Sequence, residues 1–291
     1  MKDETVVKGL AFLCRAYDNI VKAKVSIKNR CASYGFGEDA KYQDEIQVLE
    51  KLQGQISRKM EKDLALWPVW SEWLKNLPGI GAFIGANLIL LYYYKMTPVC
   101  PKCNAKLTEK EVEENGKTLN QFWCPDCERA VKGDGNLSYR VDEKDFPHIS
   151  GWWKYMGRHV IDGQAARRKK GVKSDWSTKG KVVGFQVGEQ FNRQTAADHP
   201  YKAFLLGRKA YREGTHPDAS KGKRHAMALN ETIKLFLSHF WIVARVLDSK
   251  SVTNPWIIEH GGHRDLIYPF FMSDELEKMV KNVYQAFENA A

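Results

Sequence analysis

The chain has no apolar run approaching the roughly eighteen residues needed to cross a bilayer, and its first residues carry acids where a secretory leader would be basic. Membrane insertion and secretion are therefore not expected. Cysteine is scarce. There are six in 291 residues, four of them in two CxxC pairs, too few and too clustered for a disulfide framework, and this usage fits a reducing, cytoplasmic interior. Internal repeats and low-complexity tracts are absent, and little reads as regular strand outside one short ribbon. A hydrophobic fraction of 43% is too high for a disordered chain and sufficient for one large core or two modest ones.

Acids are outnumbered, 35 against 45 Lys and Arg, for a formal net charge of +10. The excess is local: residues 151–225 hold 17 basic and 6 acidic side chains, so the rest of the chain sums to about neutral. A concentrated basic segment points to a polyanionic partner such as nucleic acid, the alternative being a solvated basic face.

Val6, Leu10, Leu13, Tyr17, Ile20, Ile27 and Cys31 recur at helical spacing, with Lys24 breaking the seam. After Gly35-Phe36-Gly37, Tyr42, Ile46, Leu49, Leu52, Ile56, Met60, Leu64 and Trp67 do the same. Residues 1–67 thus read as a helical hairpin, packed within the chain or serving as a coiled-coil dimer element. Residues 68–98 read as two helices flanking Pro78-Gly79-Ile80-Gly81, a helix-hairpin-helix-like element. Residues 99–135 form an inserted module and 136–250 a basic helical domain. Residues 251–291 form a tail with a terminal helix. Helical patterns are expected over 149–156, 178–193, 201–212, 223–247 and 274–287. The expected fold class is mainly α.

Cys100-Pro-Lys-Cys103 and Cys124-Pro-Asp-Cys127 have the spacing of a four-thiolate zinc site. A closed four-sulfur shell leaves no position for water, so one structural zinc per chain, stapling a short ribbon, is the expectation; redox-active thiol pairs are the alternative. Cys14 and Cys31 lie on helix faces as small hydrophobes. The glycines Gly79 and Gly81 would let backbone N–H groups approach a phosphate, or form a tight structural corner.

The stretch Arg158, His159, Gln164, Arg167, Arg168, Lys169, Lys170, followed by Lys173, Lys179 and Lys181, is a basic loop bracketed by glycines. Its cations suit phosphates, and Trp152, Trp153 and Trp176 offer π-faces for unstacked bases unless they belong to the core. Arg224 at the basic start of the 223–247 helix is a further candidate backbone contact.

Gly163-Gln164-Ala165-Ala166, with Gly171 eight residues after Gly163 inside that basic run and downstream of a helical hairpin, resembles the signature of the Nop domain, although Ala166 stands where proline is usual. The order of hairpin, PGIG element and basic helical domain also resembles the C-terminal half of bridge-RNA insertion-sequence transposases. Together these likenesses resemble the Tas family of tandem interspaced guide RNA systems of prokaryotes and their viruses. The resemblance implies a dimeric, cytoplasmic Nop-like protein that holds a small guide RNA and presents it to target DNA, working with a separate nuclease. Its runner-up is direct DNA binding through the glycine hairpin and basic helices.

The transposases carry an acidic nuclease-like domain before the hairpin, where this chain begins. Their nucleophilic serine precedes a glycine, and here Asp162 precedes Gly163, with Ser174 and Ser177 nearby but in another context. Asp198-His199-Pro200 is an incomplete nuclease fragment, and His260-Gly261-Gly262-His263 with Asp265 reads as a surface turn. No complete nuclease or recombinase centre is recognised, so no catalytic residue is assigned.

Overall fold

The computed structural model describes residues 2–36, 43–114, 117–131, 137–161, 164–168, 171–195, 199–253 and 267–288. Over these residues the fold is mainly α-helical with small open sheets. It divides into two compact units, Met1–Ala11 with Ile89–Asp145, and Phe12–Leu88 with Phe146–Ala291. No helix among the described residues is long and apolar enough to cross a membrane.

In the smaller unit, β1 (Tyr94–Val99) pairs antiparallel with β5 (Ser138–Glu143), and β2 (Thr108–Glu114), β3 (Lys117–Cys124) and β4 (Arg129–Val131) form an antiparallel sheet in that order. The unit is wider than the expected 99–135 module because β1 and β5 close its base. There Thr97 donates to Asp142 at 2.5 Å and Arg140 to the same carboxylate at 2.8 Å. Both bonds hold the Asp142 pKa below its ordinary value. Lys144 donates to the Leu91 carbonyl, and burial brings its pKa down to about 7.

The larger unit includes most of α1 (Glu4–Ser33) and all of α2 (Gln43–Leu64). These two meet antiparallel: Lys24 donates to Gln53 at 3.0 Å and pairs with Glu50 at 3.0 Å, and Gln53 donates to the Tyr17 hydroxyl at 2.6 Å. The lysine that interrupts the apolar seam is thus a polar cross-link between the helices. The segment before the glycine corner departs from expectation. A π-helical turn, Val69–Trp73, and a 3-10 turn, Leu74–Asn76, precede α3 (Ala82–Tyr93), so a single α-helix flanks the glycines where two were expected.

α7 (Lys221–Leu247) is the hub of this unit, contacted by the π-turn and by α4 (Ile149–Tyr155), α5 (Thr178–Arg193), α6 (Pro200–Thr215) and α8 (Asp274–Glu288). Its apolar stripe, Leu229, Ile233, Phe236, Leu237 and Phe240, is buried as helical spacing requires. Trp73 stacks on Phe236 at 5.8 Å, Trp152 on Phe240 at 5.9 Å, and Phe191 on Tyr201 at 4.4 Å. Buried indoles find carbonyls: Trp73 donates to Phe270 and Trp241 to Phe146, each at 2.7 Å. Side chains cap the helix starts, Ser177 accepting from Gly180 at 3.0 Å and Ser220 from Lys223 at 3.2 Å. His199 caps α6 ahead of Pro200, accepting from Lys202 at 3.4 Å.

His239 is fully enclosed. Its Nε2 faces the Ile267 carbonyl at 2.9 Å, an acceptor only, so Nε2 carries the proton and Nδ1 accepts from the Tyr201 hydroxyl at 2.8 Å. Burial lowers its pKa to about 3, keeping it neutral. Gly184 and Gly188 on α5 permit the close approach of α7, since a Cβ at Gly188 would lie 2.8 Å from Ile233.

Candidate functional site

Among the described residues, a cysteine cluster in the smaller unit and a basic loop in the larger one are the candidate sites. In the smaller unit the sulfurs of Cys100, Cys103, Cys124 and Cys127 all lie within 4.8 Å of one another, with 3.4 Å between Cys103 and Cys124 and 4.0 Å between Cys100 and Cys127. A tetrahedral ion with thiolate bonds of about 2.3 Å separates its sulfurs by about 3.8 Å. The four thiols therefore form a cluster capable of coordinating a metal ion. Both of these contacts join one CxxC pair to the other, as a shared tetrahedron requires.

The local backbone repeats. Each CxxC turn ends in a left-handed residue, Asn104 (φ 61°) and Glu128 (φ 49°), which reverses the chain into the next segment. In the first turn Asn104 N–H donates to the Cys100 carbonyl at 2.9 Å and Cys100 N–H to Ala105 at 2.8 Å; in the second, Cys127 N–H reaches the Cys124 sulfur at 3.4 Å. Cys100 and Cys124 are buried with Leu107 and Val131, a core too small to hold a ribbon by apolar contact alone. Backbone N–H groups of Cys103 and Lys102 draw the Cys100 thiol below its ordinary pKa, while the hydrogen bond with Cys103, followed by burial, pushes Cys127 up. Four thiolates this close would repel one another, and a cation coordinated by all four would offset that repulsion.

In the larger unit the basic loop is built on α4 and α5. A two-stranded hairpin, β6 (Val160–Ile161) with β7 (Gln164–Ala165), leaves all four side chains exposed. Its base is clamped: Ala166 is buried, its N–H donates to the His159 carbonyl at 3.3 Å, and its carbonyl accepts from Lys181. Lys181 also lies 4.7 Å over the Trp176 ring. Burial, then the nearby Arg158 and Arg167, lower its pKa.

Arg158 is a correction to the expected surface. Only 7% exposed, it donates to the Lys181 carbonyl at 2.8 Å and to Asn230 Oδ1 at 3.1 Å, and a Cβ on Gly184 would meet the guanidinium at 3.0 Å. Burial brings its pKa down to about 10, so it stays charged at neutral pH. It ties the loop to α5 and α7 and has no surface to offer a ligand. His159 is half-buried with Nε2 4.0 Å from Asp175, which in turn pairs with Lys154 at 3.0 Å.

Gln164, Arg167, Arg168, Lys173 and Lys179 are exposed. Arg168, on the loop, and Lys179, in the first turn of α5, line one groove, so two cations eleven positions apart in sequence share a surface. Lys169, Lys170, Asp162, Gly163, Asp198, His260, His263 and Asp265 lie outside the described residues. The tryptophans are packing residues: Trp152 is fully buried, Trp153 donates to the Lys234 carbonyl at 3.3 Å, and Trp176 sits under Lys181. Ser177, near the position sought for a nucleophile, caps α5.

The weaker candidates lie elsewhere. Gly79 has φ 91°, but a Cβ there would meet Gln194 at 2.7 Å and Gln190 at 3.1 Å, so the corner is filled by side chains from the last turn of α5 and its C-cap and is a packing turn. Gly81 is exposed. Arg224 donates to the carbonyls of Pro217 at 2.9 Å and Ala219 at 2.6 Å, closing the loop before α7. Compared with family models, curated proteins and solved structures, the chain matches none.

These placements separate two arginines ten residues apart. Arg158→Ala should cost roughly 2–4 kcal/mol in urea unfolding, because it strands buried acceptors and opens a cavity. Arg168→Ala, at the surface, should change stability by less than about 0.5 kcal/mol. Equal effects would contradict the assignment of Arg158 to the interior.

Proposed function

We propose that the protein binds a small RNA on the surface formed by Arg167, Arg168, Lys173 and Lys179, with Lys169 and Lys170, next in the sequence, as further contacts. The observation that supports this reading most is the division of labour among the basic residues. Arg158 and Lys181 are consumed in holding the loop, and the cations they position face solvent beside an exposed hairpin. Exposed cations on a braced loop can neutralise a polyanion without the entropic cost of first ordering the loop.

In this reading the bound RNA acts as a guide, and base pairing selects the target DNA, as the likeness to Nop-like and Tas proteins implies. Cleavage of that DNA belongs to a separate nuclease. A homodimer through the α1–α2 hairpin is part of the same proposal, and Val21 and Val25 on α1 with Val48 and Leu52 on α2 are exposed at helical spacing. The rival, direct DNA binding at the glycine corner, finds Gln190 and Gln194 where a phosphate would need to approach.

The cysteine cluster is proposed to hold one structural zinc per chain through Cys100, Cys103, Cys124 and Cys127. Zinc in a closed sulfur shell supplies folding energy, of order 10 kcal/mol, and no reactive position. Elemental analysis of purified protein should find one zinc per chain. Cys124→Ser should abolish it and unfold the ribbon while leaving the helical content of residues 178–247 intact. A native, metal-free protein with an ordered ribbon would refute this.

RNA should co-purify with the protein in stoichiometric amount. Rebinding of that RNA should weaken at least tenfold at low salt when Arg167, Arg168, Lys169 and Lys170 are all replaced by alanine. The slope of log K against log salt should flatten by about 0.7 for each phosphate that the variant no longer neutralises. Thermal stability should stay nearly unchanged. Lys22→Glu, on the exposed face of α1, is the control; an equal weakening there would reduce the loop to part of a diffuse basic surface.

A further inference from the structure

A groove of about 360 Å³ opens beside the basic loop, at the first turns of α3 and α5. Its walls include Asp18, Phe83, Arg168, Lys179, Val182 and Gln186, all within the larger unit. It holds an aromatic ring, two cations, one carboxylate and one amide, in a volume at the small end of the range for ligand sites.

Phe83 is half-buried, and one face of its ring is covered by a neighbouring ring. It stacks on Tyr17 at 4.4 Å with the planes 16° apart, and the Tyr17 hydroxyl accepts from Gln53 on α2. Three helices thus fix the ring before any ligand arrives, so stacking a planar group on this aromatic pair costs little reorganisation. Val182, 56% exposed, extends the apolar floor. Arg168 and Lys179 bring positive charge to the same groove, whereas Asp18 and Gln186 bring an acceptor and an amide able both to donate and to accept.

A second crevice, about 260 Å³, lies among Lys209, Glu213, Lys221, Arg224 and His225. It has charge of the right sign but no phenyl, phenol or indole face. Its arginine is already bonded to the carbonyls of Pro217 and Ala219. Of these two, the groove at Phe83 combines the three kinds of recognition a nucleotide requires: a face for the base, polar groups for its edge and cations for its phosphate.

We propose that this groove takes one nucleotide, with the base stacked on Phe83, its polar edge toward Asp18 and Gln186, and its phosphate toward Arg168 and Lys179. This rests on the RNA-binding reading and deepens it. The basic loop grips the backbone non-specifically, and the groove holds one unstacked base, fixing the register of the strand. The Asp18 carboxylate can accept from an exocyclic amine or a ring N–H at the base edge, and the Gln186 amide can pair with either a donor or an acceptor there.

The test uses two probes with the full-length protein: a single-stranded RNA dodecamer carrying one 2-aminopurine, and 2-aminopurine riboside 5′-monophosphate as the free nucleotide. Fluorescence of 2-aminopurine falls when the base stacks, so wild-type protein should quench the RNA probe severalfold at saturation. Phe83→Leu, which keeps apolar volume but removes the ring, should relieve the quench at full occupancy, and Phe83→Tyr should retain it, excluding a folding defect as the cause. Lys179→Ala should weaken binding about fivefold, while Arg167→Ala should weaken binding without changing the quench per bound complex.

RNA bound by all variants with a quench indifferent to Phe83→Leu would overturn the groove and leave the RNA reading standing. Phe83-dependent quenching of the free nucleotide without RNA binding would support the groove as a nucleotide site and overturn the RNA reading. Binding of neither probe would overturn both.

Discussion

The guanidinium of Arg158 is the fixed point around which the larger unit's surface is arranged. From a buried position it bonds to the Lys181 carbonyl on α5 and the Asn230 side chain on α7, packed closely against Gly184, where a Cβ would lie 3.0 Å from the guanidinium. Lys181, fixed in turn, donates back to the Ala166 carbonyl at the foot of the hairpin. A buried cation without such acceptors would cost several kcal/mol. With them, the charge becomes a three-way tie between the loop and two helices. Arg167 and Arg168 follow immediately after the clamp, and their outward position is a consequence of it.

The α-helices were legible because their signals are local. The periods ending at Arg193 and Leu247 coincide with the observed helix ends, and the α5 and α7 starts are set by serines that cap them. The pairing of β1 with β5 was not legible, because the partners are separated by the whole cysteine module, and a pair such as Met96 with Val141 leaves no mark in a short window. The π-turn at Val69–Trp73 was read as α-helix because Trp70, Trp73 and Leu74 have helical spacing whichever way the turn is wound.

At the candidate site, sequence located the basic segment but not the role of each charge. Arg158 and Arg168 look alike in a basic run, and only the third dimension separates an arginine enclosed by α5 and α7 from one at the rim of a groove. Gly79 illustrates the converse: the positive φ was legible in Pro-Gly, but not that Gln190 and Gln194 lie against it. Phe83 carried no signal beyond its apolar character, since its stacking on Tyr17 joins helices 66 residues apart in the chain. The cysteine cluster was the most legible feature, because the chemistry of four thiolates constrains spacing directly and leaves few other uses for two CxxC pairs.

The claim at the centre of this account is that nucleic acid lies along the loop and the start of α5, and the most direct measurement is ultraviolet cross-linking of the RNA-bound protein followed by mass spectrometric mapping of the linked peptides. Cross-links concentrated between residues 164 and 186, with Phe83 the main outlying position, are the predicted result. Cross-links confined to the exposed lysines of α1 and α2, or spread evenly over all surface lysines, would contradict it.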